Sequence, residues 1–430
     1  MAAFAAAGRF GDMSTARREF DIVIYGATGF VGRLTAQYLA GAAGGARVAL
    51  AGRSPERLEG VRETLAGAGR SWPILTADAS APSTLQEMAA RTRVVVTTVG
   101  PYAKYGLPLV EACAAAGTDY ADLTGEPNFI RDSIDLYHKQ AADTGARIVH
   151  SCGFDSIPSD LTVFGLYRRA EADGAGQLLD TTMVVRSMVG GVSGGTAASM
   201  LELLTASSRD ATLRRALEDP YTLSPDRGAE PELGGQPDVR WRRGADVAAE
   251  LRGHWLAPFV MAMPNSRIVR RSNALLGYPY GRRMSYGEQM TVGTSVAAPV
   301  AAAALTGVSA LTMNLGSRFF RFVPRRLVDR VVPTPGTGPS EETRDNGHYR
   351  IETYTTTTSG ARYRSTIAQQ GDFGYKATAV LLGESALALA LDRDRLSDLR
   401  GVLTPAAAMG DVLWERLPAA GATLTVDRLG

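Results

Sequence analysis

The chain has 430 residues, 45% hydrophobic and 21% charged, with 46 basic against 44 acidic side chains and a net charge of +2. That length suits two or three domains, the apolar share excludes wholesale disorder, and the charge balance excludes a general basic field for nucleic acid. Cys113 and Cys152 are the only cysteines, and His138, His150, His254 and His348 are scattered. Neither a disulfide scaffold nor a metal site is expected, and a reducing, cytoplasmic setting fits.

Residues 1–19 carry a short alanine-rich stretch without a basic start, read as a disordered leader rather than a signal peptide. From Phe20 the chain alternates strand and helix signals. Asp21–Tyr25, Ala46–Ala51, Trp72–Ala77, Arg93–Thr98, Thr118–Leu123 and Ala146–His150 read as strands. Between them lie helical stretches, one opened by Ser54-Pro55 and another, Tyr105–Ala116, closed by Gly117. Such alternation implies right-handed βαβ units. The expected fold is α/β: a Rossmann-type doubly wound parallel sheet over 20–150, followed by a second α+β domain over 151–400.

After Cys152-Gly153 the rhythm changes. Thr181–Met188 reads as a strand, Gly190–Gly195 as a glycine loop and Thr196–Ser207 as a helix. Tyr349–Thr358 and Arg362–Gln369 pair around Ser359-Gly360. Tyr375–Leu391 and Thr404–Leu417 read as helices and Ala422–Val426 as a strand. Residues 401–430 are expected to return to the first domain. From Gln289 to Ser317 no residue is charged, and Arg318–Arg330 interleaves arginines with aromatics. The uncharged run is read first as a buried small-residue helix followed by a solvated basic helix, with peripheral contact with lipid or an acyl chain as the second reading and a membrane span as the third.

Gly26-Ala27-Thr28-Gly29-Phe30-Val31-Gly32 follows the first strand and opens the first helix. Glycines allow close approach to a pyrophosphate, and a helix N-terminus offers free N–H groups and partial positive charge. The second strand ends in Gly52-Arg53-Ser54, with no acid for a ribose hydroxyl. Arg53 and Ser54 suit a 2′-phosphate, so NADPH is the expected cofactor. Asp78 follows the third strand, placed to accept from adenine. Val99, Gly100 and Pro101 follow the fourth, at the carboxyl edge where a cofactor crevice forms. Tyr102 is the preferred proton donor. Asp155 and Ser156 sit where the sixth strand gives way to the second domain.

These stretches, with Ser151–Asp160, Pro335–Glu342, Gly371–Thr378 and Gly401–Gly410, resemble the saccharopine dehydrogenase-like oxidoreductases, and within them the mycobacterial trans-acting enoyl reductases. The resemblance runs from about residue 20 to the end. It implies an NADP-dependent reductase acting in trans on an enoyl group of a lipid or polyketide precursor for cell-envelope glycolipids. The implied partner is an acyl or polyketide substrate carried by a synthase domain. The uncharged run and Arg318–Arg330 add a peripheral contact with the plasma membrane as an expectation, and the sequence leaves the oligomeric state open, with a homodimer as one option. Two other activities compete: reduction of an amino-acid-derived imine, and a non-catalytic lipid-surface role. The uncharged run favours an apolar acyl substrate over a charged adduct.

Overall fold

The structure, a computed structural model, describes residues 18–429 except 192–193, 235, 240 and 316–337. Most of the expected leader and all of Arg318–Arg330 therefore lie outside the described residues. In chain order the first half runs β1 (Phe20–Tyr25), α1 (Phe30–Ala42), β2 (Val48–Gly52), α2 (Pro55–Glu63), β3 (Ile74–Thr76), α3 (Pro82–Arg91), β4 (Thr92–Thr97), α4 (Tyr102–Tyr105), α5 (Leu107–Ala116), β5 (Asp119–Ala121), α6 (Pro127–Thr144) and β6 (Arg147–Val149). The second half runs α7 (Ile157–Ala172), β7 (Leu178–Val189), α8 (Gly194–Arg209), α9 (Ala211–Glu218), β8 (Arg242–Arg243), β9 (Trp255–Pro258), α10 (Ala262–Leu275), β10 (Ser285–Gly293) and α11 (Ala298–Leu315). It ends with α12 (Glu341–Asn346), β11 (His348–Thr357), β12 (Arg362–Gln370), α13 (Thr378–Leu391), β13 (Gly401–Leu403), α14 (Pro405–Ala419) and β14 (Thr423–Leu429).

Seven strands form a parallel sheet in the order β13-β6-β5-β4-β1-β2-β3. β1, Phe-Asp-Ile-Val-Ile-Tyr, is buried along its whole length. Helices cover both faces of such a strand, so its sequence is a nearly unbroken apolar run. The strand order reverses between β1 and β4, which places a crevice at their carboxyl ends. Seven further strands form a mixed sheet, β14-β12-β11-β7-β10-β9-β8, antiparallel except for β7 with β10.

Two expectations are corrected. The last strand does not return to the first sheet: β14 pairs with β12 at the edge of the second, Thr423 opposite Ala368 and Leu429 opposite Arg362. What does join the first sheet is β13, three residues beside Arg147–Val149. The uncharged run is not one buried helix. Its first residues finish β10, and α11 buries only Ala298 and Ala302 fully among its described side chains. Gly293, with φ of +102°, ends the strand, and among the described residues of α11 no large side chain is buried against the sheet to pull the helix in.

The two sheets share helices. Asp160 of α7 is buried, accepting from Ser272 Oγ of α10 at 2.5 Å and from the Ala406 N–H at the start of α14 at 2.8 Å. One carboxyl thus caps α14 and ties three helices. Burial pushes its pKa up to about 7, against the pull of these two hydrogen bonds.

Candidate active site

The turn after β1 is built for close approach. Gly26 has φ of +90°, and a Cβ on it would lie 2.7 Å from Val99 Cγ2. A Cβ on Gly32 would lie 2.2 Å from Gly26 O. The turn is fixed by Gly29 N–H donating to Gly26 O at 2.9 Å and Thr98 Oγ donating to the same oxygen at 3.2 Å. Gly29 caps α1 without a side chain, and no acid stands in the first turn. The end of α1 therefore keeps N–H donors and positive partial charge for an anion. Thr28 and Val31 flank this cradle half-buried. Phe30 closes one side, its ring edge-on to Tyr375 of the second domain at 4.9 Å.

At the end of β2, Arg53 is exposed and Ser54 caps α2, accepting from Arg57 N–H at 3.4 Å. Asp78 accepts from Ser80 N–H at 2.9 Å; its carboxyl is held below the usual range by the Ser80 amide and hydroxyl and by the charge of Arg53. It is at once a loop cap and a neighbour of Arg53. Val99 and Pro101 are half-buried and Gly100 is exposed at the lip of the crevice. A glycine cradle, an uncapped helix end and an arginine without a competing acid at the end of β2 fit NADP.

The structure does not bring the three expected catalytic residues together at the crevice. Tyr102 is buried: its hydroxyl donates to Thr97 O at 3.1 Å and accepts from Leu123 N–H at 3.2 Å, and its ring stacks on Phe129. Burial, then the nearby Asp122, pushes its pKa far up, so it is a poor acid as well as an inaccessible one. Ser156 is buried too, donating to Asn265 Oδ1 at 2.8 Å. Asn265 in turn donates to Glu288 Oε2 at 3.0 Å and Tyr286 OH donates to Glu288 Oε1 at 2.8 Å. Burial pushes Glu288 up to about 8. Ser156 thus belongs to a sealed polar network joining α7, α10 and β10. Asp155 alone of the three is half-buried, in the turn between β6 and α7.

A model of the saccharopine dehydrogenase NADP-binding domain matches residues 22–149. A protein of Mycobacterium bovis named trans-acting enoyl reductase is 62% identical over 418 residues, covering 97% of this chain and 100% of the relative. A Mycobacterium tuberculosis protein given the same name provisionally is 68% identical over 417 residues, again covering 97% and 100%. The chain belongs to the trans-acting enoyl reductase family. Saccharopine dehydrogenase of Saccharomyces cerevisiae shares the fold, with a TM-score of 0.51 at 13% identity over 95% of this chain and 99% of that one.

In this enoyl reductase family member, the loops that shape the crevice are held by residues the sequence reading passed over. Asp122, fully buried after β5, accepts from Thr124 N–H at 3.0 Å, Ser151 N–H at 2.9 Å and Tyr120 OH at 2.9 Å, and lies 2.7 Å from His150 Nδ1. It fixes Ser151, a non-glycine residue with φ of +65°. Such strain persists only where the surroundings impose it. Glu126 accepts from the Tyr102 and Ala103 N–H groups at 2.9 and 2.8 Å, and from Ser199 Oγ of α8 at 2.7 Å. At the start of α8, a little over one turn earlier, Gly194 N–H donates to Tyr375 OH at 3.4 Å. The first turns of α8 therefore link Tyr375, the partner of Phe30, to the loop after β5. The signal available in sequence was Asp122-Leu-Thr-Gly-Glu126, two acids around a glycine directly after a strand.

Proposed function

We propose that this protein reduces the carbon–carbon double bond of an enoyl thioester, using NADPH and acting in trans on a lipid or polyketide chain held by a carrier domain. The observation that supports this reading best is the glycine cradle beside Arg53 in a chain alignable over 97% of its length with trans-acting enoyl reductases. Bound NADPH supplies a hydride to the β-carbon. The chain's own residues do the rest. The α1 N–H groups bind the pyrophosphate, and Arg53 and Ser54 hold the 2′-phosphate. Gly100 and Pro101, which follow β4 at the carboxyl edge of the sheet, would border the bound cofactor, and the first turns of α8 would help to exclude water from it. Asp155, the half-buried member of the three expected catalytic residues, would relay the proton that the α-carbon takes up, so that one hydride and one proton complete the saturated acyl chain.

Titration with NADPH and NADH, followed by oxidation of NADPH at saturating enoyl thioester, tests this. Tight NADPH binding, weak NADH binding and loss of the enoyl absorbance with one equivalent of NADPH are expected. Failure to bind either nucleotide refutes the reading. NADPH binding with turnover only on imines or charged amino-acid adducts refutes the enoyl assignment alone.

A further inference from the structure

Helix α11 exposes what a soluble surface ordinarily hides. Val300 is 72% exposed, Val308 54%, Leu305 44% and Leu311 44%, and Val296 just before the helix is almost fully exposed. Ala301, Ala303, Ala304 and Gly307 are exposed between them. At 100° per residue these positions fill an arc of about 200°, against a narrow strip at Ala298 and Ala302 facing the second sheet. Nothing charged interrupts the arc, because no residue from 289 to 317 carries a charge.

The surroundings indicate what covers it. The helix packs on β9, whose first residue, Trp255, stacks on the half-exposed Trp241 with ring centroids 5.5 Å apart. The guanidinium of exposed Arg243 lies 5.9 Å from the Trp255 ring. Tryptophan beside arginine at the margin of an apolar face is the composition of a lipid–water interface. The sequence following the helix, Arg318–Arg330, lies outside the described residues and carries five arginines against one aspartate. Apolar side chains without charge, flanked by positive charge, are complementary to an anionic bilayer surface and not to a polar protein surface. Among the described residues no helix is long and apolar enough to cross a membrane, which fits a helix lying in the interface plane.

We infer that the exposed face of α11 is a docking surface for an anionic lipid bilayer, with Val300, Leu305, Val308 and Leu311 entering the headgroup–acyl boundary. The inference is independent of the enoyl reductase reading, since none of these residues belongs to the cofactor cradle.

The test is co-sedimentation of the full chain with vesicles of phosphatidylcholine alone, or with about a third phosphatidylglycerol, at low salt. Binding to the anionic vesicles at least tenfold stronger than to the neutral ones is expected. The paired substitution Leu305→Glu/Val308→Glu should lower it at least tenfold while leaving NADPH affinity unchanged, which certifies folding. If that pair fails to fold, Val300→Ser/Leu311→Ser gives the same comparison with less perturbation. The inference is overturned if the wild type stays in the supernatant with anionic vesicles, or if a folded variant binds as well as the wild type. It is also overturned if gel filtration shows a dimer that either pair converts to monomer, because a second copy then covers the face.

Discussion

Gly32 and Gly41 lie on the same helix, and the same substitution should act on them with opposite sign. At Gly32 an added Cβ falls 2.2 Å from Gly26 O and 2.9 Å from Thr98 Oγ, against 3.4 Å for an ordinary contact, a shortfall of about 1.2 Å. Gly26 cannot yield cheaply, because its carbonyl already accepts from Gly29 N–H and Thr98 Oγ. Alanine favours a helix over glycine by about 1 kcal/mol, but forcing atoms into a packed site costs about 1–3 kcal/mol and endangers both hydrogen bonds. Gly32→Ala should therefore lose up to about 2 kcal/mol net. It should also displace the α1 N–H groups by roughly an ångström, weakening NADPH at least tenfold, the equivalent of about 1.4 kcal/mol. At Gly41 nothing lies within 4 Å of the added Cβ. Gly41→Ala should gain about 0.5–1 kcal/mol and leave NADPH affinity unchanged. Urea unfolding and NADPH fluorescence titration on the two variants give both numbers. A Gly32→Ala protein with the stability and Kd of Gly41→Ala would refute the cradle as described.

Arg53→Ala should weaken NADPH about tenfold or more with little effect on NADH, as a charge-assisted contact of about 1.5–3 kcal/mol is removed from one ligand only; equal loss for both would remove Arg53 from the 2′-phosphate site. Tyr102→Phe should cost about 1–2 kcal/mol of stability, from two lost hydrogen bonds, and leave kcat within a few-fold of wild type; a hundredfold fall in kcat would restore it as proton donor. Asp160 and Glu288 have native pKa values raised to about 7 and about 8, above their ordinary values near 4. The folded state holds protons that the unfolded state has lost, so stability from this pair is greatest below pH ~4 and falls as pH rises toward 7 and 8, by about 1.4 kcal/mol per pH unit per group. Asp160→Asn and Glu288→Gln should each flatten that slope in urea unfolding measured from pH 5 to 8; an unchanged slope would mean these carboxyls are charged in the native protein.

The first sheet was legible because its strands announce themselves. Asp21–Tyr25 and Arg93–Thr98 are apolar runs bounded by turns, and the structure has β1 and β4 there. The glycine turn and Ser54-Pro55 were legible for the same reason, since local backbone chemistry dictates them. What escaped depends on distance. β13 is three residues that begin with Gly401, at φ of +102°, and only its pairing with Arg147–Val149 makes it a strand. Helix α10 hides Arg267, Arg270 and Arg271 inside the fold, each donating to backbone carbonyls up to 131 residues away in sequence. No amphipathic pattern shows such a helix. Tyr102 illustrates the converse: it follows β4 along the chain, but its side chain turns inward to Thr97 and Leu123, a direction that spacing does not encode.

The final thirty residues act as a seam. Gly401–Leu403 closes one edge of the parallel sheet, and Thr423–Leu429 closes one edge of the mixed sheet. Between them α14 is anchored by Asp160 to the helix that opens the second half of the chain. Each sheet thus owes a border to the same short stretch of polypeptide, and neither can lose that border without fraying the other. Heat should therefore melt both halves in a single step. Any opening of the crevice must proceed as a twist about this seam, since a clean parting of the halves would tear it.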